Sequence, residues 1–282
     1  MNDILENQDI PVLDLPVTFI GGGNMASAII GGLIRQGLDA SRIDVVEPFE
    51  AARDKLQQQF GILAQASAGA FLSRASVVVW AVKPQTFREA ATAVAPLAPK
   101  ALHLSVAAGI SSGSIAAWLG TGRIVRAMPN TPALVGQGMT GLFAREEVNA
   151  ADRGLVEGVL RPTGRLSWVD NEKQLDAVTA LSGSGPAYVF YFLESMVQAG
   201  IEMGLSAEQA RALSVATFQG ASHLAAVSSD PLEEMRQRVT SKGGTTYAAV
   251  TAMDEAGIKN SFVAALHAAE RRARELGAEF GG

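Results

Sequence analysis

The stretch VTFIGGGNMASAI (residues 17–29) joins an apolar run to an alanine-rich run through three consecutive glycines. Gly21, Gly23 and Ala26 match the pattern GxGxxA. In this pattern the first glycine permits a tight turn, the second lets the backbone approach a diphosphate, and a small third residue lets helix and strand pack closely. The alternative is a plain strand-to-helix turn that binds nothing. The order of strand, glycines, helix and second strand favours a dinucleotide site.

The residues after the glycines predict how such a ligand would be held. Backbone amides at the helix start, including those of Asn24 and Met25, would point at the diphosphate. The second predicted strand ends at Glu47, whose carboxylate would accept hydrogen bonds from a ribose 2′-hydroxyl and repel a 2′-phosphate. Glu47 therefore favours NADH over NADPH, although Arg42 and Arg53 lie close in sequence and could soften that preference. The alternative for Glu47 is an exposed loop carboxylate.

The rest of the chain predicts two domains. Short β-branched runs alternate with amphipathic segments as far as about residue 170, which indicates βαβ units around a Rossmann-type, mostly parallel sheet. The predicted strands are residues 17–20, 43–46, 77–82, 102–106, 124–127 and 166–169. Helical stretches follow at residues 188–203, 207–227, 231–239, 245–256 and 260–276.

These elements predict an α/β fold whose second domain is all-helical. We expect a flexible N-terminal extension at residues 1–16, a dinucleotide-binding domain at 17–170 and a helical domain at 171–282. Several of the predicted helices look apolar on more than one face. The helical domain therefore needs a partner subunit to cover it.

Composition narrows the class of ligand. The 282 residues carry a net charge of -5 without a basic run, which argues against nucleic acid and anionic membrane surfaces as partners. There is no cysteine, and the three histidines do not have the spacing of metal ligands, so we expect no metal. The polar, acidic N-terminus lacks the features of a secretory signal, and no apolar segment reaches the length of a membrane span. The sequence predicts a soluble, cytoplasmic protein that binds small molecules.

A second glycine-containing helix start lies near the C-terminus. In TSKGGTT (residues 240–246), Gly243 and Gly244 are flanked by Thr240, Ser241, Thr245 and Thr246, and a helix is predicted from about residue 245. Hydroxyls and free backbone amides would converge there on a spot the size of a carboxylate. The alternative is an ordinary capped helix start. Capping would account for one of these hydroxyls, but not for four hydroxyls and two glycines together.

Four stretches resemble the pyrroline-5-carboxylate reductase family, the last enzyme of proline biosynthesis. They are AVKPQ (residues 81–85), MPNTP (128–132), DAVTALSGSGPAY (176–188) and TSKGGTT (240–246). The resemblance runs from about residue 17 to the C-terminus, and the last two stretches are the most specific. It implies that hydride from NADPH or NADH reduces the cyclic imine 1-pyrroline-5-carboxylate to proline. It also implies that the helical domains pair into a homodimer, which often assembles further.

The resemblance implies roles for the loops that follow the predicted parallel strands. The loop of Ala81, Val82, Lys83 and Pro84 would border the nicotinamide. Asn130 would lie beside the nicotinamide, and small residues such as Ala108 would leave room for the cofactor. The alternatives are a surface lysine, a turn-forming asparagine and close helix packing, respectively.

The resemblance also implies how the substrate is held. Ser241, Gly243, Gly244 and Thr245 would bind its carboxylate, and the Thr246 hydroxyl would donate to the imine nitrogen. An imine can arrive protonated, so the reaction depends mainly on orientation and needs no histidine, cysteine or metal. Two departures stand out: Lys242 replaces the proline usual in relatives, and residues 67–68 lack an asparagine that contacts adenosine in many of them.

Two other functions stay open from the sequence. A β-hydroxyacid dehydrogenase shares the two-domain plan but needs a general base, commonly a lysine at the start of the helical domain, where this chain has Ser182, Gly183 and Ser184. A non-catalytic dinucleotide-binding regulatory protein would not need Thr246 or the whole glycine loop.

Overall fold

The computed structural model describes residues 4–5 and 15–280, and the strands of these residues form one eight-stranded sheet. The strands are β1 (Ile4–Leu5), β2 (Val17–Ile20), β3 (Ile43–Val46), β4 (Val77–Trp80), β5 (Leu102–Ser105), β6 (Ile124–Met128), β7 (Gly138–Ala144) and β8 (Gly164–Trp168). Their order is β1-β8-β7-β6-β5-β4-β2-β3. Five neighbouring strands, β3, β2, β4, β5 and β6, are parallel to one another. Strand β7 is antiparallel to β6 and parallel to β8, and β1 is antiparallel to β8.

The described residues divide into two compact units. The sheet unit contains the residues up to Ser184 and those from Ala269 onward, and the helical unit contains Gly185–Ala268. Helices that lie wholly within the sheet unit are α1 (Asn24–Arg35), α2 (Glu50–Phe60), α3 (Pro84–Val94), α4 (Ser112–Leu119), α5 (Ala150–Leu160) and α6 (Gln174–Val178). Those of the helical unit are α7 (Gly185–Glu202), α8 (Ala207–Val227), α9 (Leu232–Arg238) and α10 (Thr245–Glu255), while α11 (Ile258–Phe280) begins in it and ends in the sheet unit.

The sheet has a hydrophobic core on each face. All four residues of β4 are buried, as expected of a β-branched strand covered by helices on both sides. Because side chains alternate along a strand, Val79 joins Phe19 in one core and Trp80 stacks on Phe87 in the other, with ring centroids 4.8 Å apart. The predicted α/β fold with a mostly parallel sheet is confirmed.

The strand predictions were correct in position, but two strands, β1 and β7, were missed. The strands predicted at residues 17–20 and 43–46 are confirmed, while β4 and β5 end earlier than expected and β8 begins earlier. In β7, Gly138 and Gly141 weaken the strand pattern. A Cβ on Gly138 would lie 2.7 Å from the Thr163 carbonyl oxygen, and one on Gly141 would lie 2.7 Å from Val178 Cγ1. Close packing therefore explains both glycines.

The compact units divide after Ser184 instead of at the predicted boundary between residues 170 and 171. Glu172 ties the intervening segment to the sheet unit, because its carboxylate accepts from the Ser112 amide (2.6 Å) and hydroxyl (2.7 Å) and pairs with Arg126 (2.7 Å). Burial alone would raise the pKa of Glu172, but these hydrogen bonds and the arginine outweigh it and hold that pKa below its usual range. The predicted domain 171–282 is therefore not one compact body.

The predicted N-terminal extension, residues 1–16, lies mainly outside the described residues. Ile4–Leu5 are described, and they form a strand paired with Leu166 and Ser167 of β8. At these two residues the expected flexible chain is replaced by backbone pairing along the edge of the sheet.

The helical unit has almost no core of its own. Three of its residues are buried, Gly200, Ala210 and Ser214, where α7 and α8 pack so closely that a Cβ on Gly200 would lie 2.9 Å from that of Ala210. Large apolar side chains that are at least two fifths exposed in this single chain include Val189, Phe190, Tyr191, Ile201, Met203, Leu213, Leu224, Val227 and Met253. Across the described part of the chain, no helix is long and apolar enough to cross a membrane.

Candidate active site

The glycine run between β2 and α1 forms a tight turn against the end of β4. We call residues 21–26 the nucleotide loop. Gly21 has φ +96°, and a Cβ there would lie 2.6 Å from the Ala81 carbonyl oxygen and 3.2 Å from Val82 Cγ1. Its amide donates to the Val46 carbonyl at 2.8 Å. Only glycine fits at this first position, since both the dihedral angle and the contact exclude a side chain.

The second glycine and the start of α1 leave space for an anion. Gly23 is the N-cap of α1, no side chain caps the helix, and a Cβ on Gly23 would meet nothing within 4 Å. Asn24 and Met25 form the first turn, where backbone amides are free of intrahelical partners, and Ala26 is fully buried against the core. These residues fit a diphosphate held by backbone donors.

Glu47 is buried against the nucleotide loop. Its side chain is part of a residue only 6% exposed, and its Oε2 accepts from the Gly22 amide at 2.8 Å while Oε1 accepts from the Phe49 amide at 2.9 Å. Arg53 donates to the carbonyl oxygens of Glu47 (3.0 Å) and Pro48 (2.7 Å). The alternative of an exposed loop carboxylate is wrong. Each carboxylate oxygen keeps a lone pair with which to accept a further hydrogen bond.

The other predicted cofactor residues follow neighbouring parallel strands, so they share the carboxyl edge of the sheet. Ala81 and Val82 contact the nucleotide loop as described. Lys83 is exposed and is the N-cap of α3, whose first residue is Pro84. Ala108 precedes Gly109, which has φ +73° and lies against Leu276 near the end of α11.

Asn130 uses its side chain inside the sheet unit. Its Nδ2 donates to the Ser182 carbonyl (3.1 Å) and hydroxyl (3.3 Å), and its Oδ1 accepts from the Met139 amide at 2.9 Å. Asn130 therefore joins the loop after β6 to the start of β7 and to the segment before α7. These partners lie nine and 52 residues away along the chain, so no local sequence signal announces them.

The segment that contains Ser182 is π-helical. Residues Thr179–Gly183 form the π turn, closed by a hydrogen bond from the Ser184 amide to the Thr179 carbonyl at 2.8 Å. No binding or catalytic role was predicted for Ser182 from the sequence. π turns are rare, but those that occur are frequently found at functional sites. The SGSG pattern before Pro186 was the sequence signal that could have drawn attention to this segment.

The second predicted binding loop lies in the helical unit. We call residues 240–246 the substrate loop. Gly243 has φ +79°, and the Gly244 amide donates to the Ser241 carbonyl at 3.0 Å, which closes a turn. The Thr240 hydroxyl donates instead to the Arg236 carbonyl at the end of α9, at 2.6 Å. The expected set of four converging hydroxyls therefore loses Thr240.

The start of α10 keeps its anion-binding groups free. Gly244 is the N-cap of α10, and no side chain caps the helix. The hydroxyls of Thr245 and Thr246 are exposed and make no hydrogen bond to other described residues, and Lys242 is also exposed. Free amides, two hydroxyls and one ammonium group can together hold a carboxylate. Among the described residues, no group of three histidine, aspartate or glutamate side chains is placed to hold a metal ion.

Two family models match the chain. The model described as pyrroline-5-carboxylate reductase dimerisation matches residues 172–276, and the model described as NADP oxidoreductase, coenzyme F420-dependent, matches residues 16–109. The first therefore covers the helical unit, and the second covers the nucleotide loop and the first four strands of the parallel sheet.

Whole-chain relatives agree with these models. A pyrroline-5-carboxylate reductase from Pseudomonas aeruginosa is 43% identical over 94% of this chain and 98% of its own length, and one from Haemophilus influenzae is 40% identical over 92% and 97%. The solved structure of a pyrroline-5-carboxylate reductase from Coxiella burnetii is similar with a TM-score of 0.87 and 38% identity, covering 94% of this chain and 99% of that one. The structure of a Plasmodium falciparum pyrroline carboxylate reductase with NADP bound has a TM-score of 0.84 and 27% identity, covering 93% and 98%.

Proposed function

Because the chain belongs to the pyrroline-5-carboxylate reductase family, we propose that it reduces 1-pyrroline-5-carboxylate to proline with hydride from NADH or NADPH. The chain is an NAD(P)H-dependent oxidoreductase, and its relatives support this activity and not that of a β-hydroxyacid dehydrogenase. The observation that carries the proposal is the open, uncapped start of α1 at Gly23. It occurs in a chain that aligns with pyrroline-5-carboxylate reductases over nearly their whole length.

The sheet unit binds the dinucleotide. NADH or NADPH, when bound, supplies the hydride. Amides at the start of α1, from Asn24 and Met25 onward, bind the diphosphate, and the contact of Gly21 with Ala81 keeps the backbone turned for this purpose. Lys83, Pro84 and Ala108 border the nicotinamide end, in keeping with their common edge of the sheet.

Glu47 sets a preference for NADH. Its buried carboxylate is already fixed by two backbone amides, so it cannot turn away from a 2′-phosphate without losing both hydrogen bonds. Arg53 Nη1 donates to the carbonyl oxygens of Glu47 and Pro48, which holds this nitrogen against the backbone. A 2′-hydroxyl, in contrast, can donate to a remaining lone pair.

The helical unit binds the small acid. Amides at the start of α10, from Thr245 onward, hold the carboxylate with the Ser241 hydroxyl, beside the turn that Gly243 permits and the Gly244 amide closes, and Lys242 adds positive charge there. The Thr246 hydroxyl hydrogen-bonds the substrate nitrogen, as a donor to a neutral imine or as an acceptor from a protonated one, and orients the ring for hydride addition. No general base is required, because the nitrogen can arrive with its proton.

A homodimer, with the possibility of a larger assembly, follows from the helical unit. Its model match is to a dimerisation domain, and its exposed apolar side chains need a cover that the single chain does not provide. A second copy of the chain is the partner we propose. The cytoplasmic location stays a prediction, which cell fractionation would test.

The activity is tested by following loss of dihydronicotinamide absorbance after adding pyrroline-5-carboxylate to the enzyme with NADH or NADPH. We expect oxidation of both, faster with NADH. Thr246→Ala should slow turnover by about ten- to a hundredfold, the loss of one hydrogen bond of 1–3 kcal/mol, and Thr246→Ser should recover much of it. Thr217→Ala is the matched control, because that hydroxyl bonds only to the Leu213 carbonyl within α8. No oxidation of either dinucleotide by the wild type would refute the function.

The role of Glu47 is tested in the same assay. Glu47→Ser should raise the ratio of kcat/KM for NADPH to that for NADH about tenfold or more, since it removes a charge next to the expected 2′ position. It should also weaken binding of both dinucleotides, because the Gly22 amide loses its acceptor. Glu50→Ser, an exposed carboxylate in the first turn of α2, is the control. An unchanged ratio in Glu47→Ser would reject the assigned role.

A further inference from the structure

We propose that Asn130 is a positioning residue that fixes the π-helical segment at the carboxyl edge of the sheet, and that it does not bind the nicotinamide itself. This inference rests on the proposed function, because it concerns the nicotinamide end of the same site. It replaces the role that family resemblance implies for Asn130.

The first argument is that the side-chain amide of Asn130 is already used. Nδ2 donates toward two acceptors on Ser182, the carbonyl oxygen at 3.1 Å and the hydroxyl at 3.3 Å, and Oδ1 accepts from the Met139 amide. Turning the amide over would set Oδ1 against the Ser182 carbonyl and Nδ2 against the Met139 N–H. Both contacts would then be repulsive, so this orientation is fixed and the amide is committed to Ser182 and Met139.

The second argument is that the π-helical segment is held at three successive points. Val178 lies over Gly141 of β7, Asn130 holds Ser182, and a Cβ on Gly183 would lie 2.5 Å from Met128 Cε at the end of β6. Two of these contacts are close approaches at a glycine, and the third is polar. Packing therefore sets the distance of the segment from the sheet, and Asn130 sets its rotation and height.

The third argument concerns what the π turn presents. A π turn adds one residue to a helix, and its backbone is rarely stable without outside support. The Ser184 amide reaches back to the Thr179 carbonyl, and Asn130 gives the Ser182 carbonyl a donor. The segment packs against Met128 and Asn130, at the carboxyl edge where parallel sheets bind ligands. Its position therefore determines the shape of one wall of the ligand-binding crevice expected there.

These arguments predict an effect on the chemistry that is larger than the effect on cofactor affinity. Loosening the wall misplaces the reacting groups, and a misplacement of about 1 Å can cost up to about a hundredfold in rate. Binding of the diphosphate and adenosine occurs at the nucleotide loop, which Asn130 does not touch.

The experiment compares Asn130→Ala, Asn130→Asp and Ser182→Ala with the wild type in full-length protein. Three quantities are measured: the NADH dissociation constant by fluorescence, kcat and KM for pyrroline-5-carboxylate, and hydrogen–deuterium exchange of residues 179–184. For Asn130→Ala we expect exchange of the segment to rise about tenfold and kcat to fall about tenfold or more, with the NADH dissociation constant within about twofold of wild type.

The other two variants grade the effect. Asn130→Asp should be more severe in exchange and in kcat, because a carboxylate would face the Ser182 carbonyl. Ser182→Ala should be mild, since it keeps the shorter bond to the carbonyl. If Asn130→Ala does not fold, Ser182→Ala supplies the test: it should raise exchange of the segment and lower kcat by smaller factors, with the NADH dissociation constant within about twofold of wild type.

Asn149→Ala is the matched control for lost stability. Asn149 caps α5 by accepting from the Asp152 amide at 3.0 Å, in the same unit but away from the segment. It should leave exchange of residues 179–184, kcat and KM unchanged. A loss of NADH affinity of about tenfold or more in Asn130→Ala, with unchanged exchange of the segment, would overturn the proposal and make Asn130 a cofactor ligand. Failure of the proposed function gives a different result: the wild type would then not reduce pyrroline-5-carboxylate, regardless of how fast residues 179–184 exchange.

Discussion

The nucleotide loop and the substrate loop are both glycine-containing helix starts, but their surroundings differ. In the nucleotide loop, Gly21 touches Ala81, Gly22 touches Glu47 and Ala26 is buried, so one chain fixes the loop completely. In the substrate loop, a Cβ on Gly243 would meet nothing within 4 Å, and Thr246 is exposed. The nucleotide loop is therefore enclosed by its own chain, whereas the substrate loop is open in the single chain.

The same contrast holds for the two units as bodies. The sheet unit has a core on both faces of its sheet, and the helical unit has three buried residues and many exposed apolar ones. An isolated body of this composition cannot bury enough apolar surface to offset the entropy of ordering its chain. We infer that the stability of the helical unit, and the completion of the substrate loop, depend on a second subunit.

The largest expected effect is on the free energy of unfolding, when the positive-φ glycine of each loop, Gly21 and Gly243, is replaced by alanine. Gly21→Ala should lower the free energy of unfolding by about 2–5 kcal/mol, since it adds a clash with the Ala81 carbonyl to the strain of the left-handed conformation. Gly243→Ala, with open space around it, should cost only the conformational term of about 1–2 kcal/mol. Chemical denaturation of both variants measures the difference. Equal losses would show that the substrate loop is as tightly enclosed as the nucleotide loop.

Acid offers a way to weaken the sheet unit from within. His103 on β5 is 2% exposed and accepts from Trp80 Nε1 at 3.1 Å, and burial, with a smaller contribution from the Arg123 charge, lowers its pKa to about 4 from an ordinary 6.5. Below pH 6.5 the unfolded chain binds the proton more readily than the folded chain does. Stability is then lost as the pH falls toward 4, by about 3 kcal/mol in total.

Unfolding measured at several pH values between 4 and 7 tests this linkage. His103→Asn, which keeps an acceptor near Trp80, should have a flatter dependence over that range. His223 and His267, in the helical unit, are exposed, so His223→Asn serves as the comparison and should keep the slope. A wild-type curve that is flat between pH 4 and 6.5 would contradict the assignment.

A smaller effect compares exposed apolar residues of the two units. Phe190 on α7 is 58% exposed in the single chain, and Leu63 in the sheet unit is 72% exposed. Phe190→Glu should weaken self-association by about 1.5–3 kcal/mol per subunit, the value of burying a large apolar side chain, while Leu63→Glu should have no effect. Sedimentation over a range of concentrations measures both. Equal behaviour of the two variants would remove the argument for a partner on the helical unit.

The sequence was sufficient where a local pattern determines the structure. Gly21 and Ala26 predicted the turn because the contacts that they need arise wherever this strand, turn and helix occur, and the β-branched runs gave the parallel strands. The helix predicted at residues 245–256 also ends close to the predicted place, just before Gly257, whose φ of +65° suits a helix C-terminus.

The sequence was insufficient where distant residues decide. β7 was missed because its glycines fit close contacts with Thr163 and Val178, which lie elsewhere in the chain. The domain boundary was placed too early because the Glu172 carboxylate bonds to Ser112, sixty residues away. The contacts of Asn130 are also tertiary, whereas the Thr240 hydroxyl was misassigned for a local reason, because it bonds to the Arg236 carbonyl only four residues earlier. Their residue types are equally common in ordinary turns and caps.

The central claim is that the nucleotide site is complete in one chain, whereas imine reduction needs a second. It is tested most directly by titrating NADH into Phe190→Glu at concentrations where sedimentation finds only monomer, and assaying imine reduction in the same sample. We predict an NADH dissociation constant within about twofold of the wild type and a reduction rate at least about tenfold lower. A monomer that reduces the imine at the wild-type rate, or one that no longer binds NADH, would contradict the account.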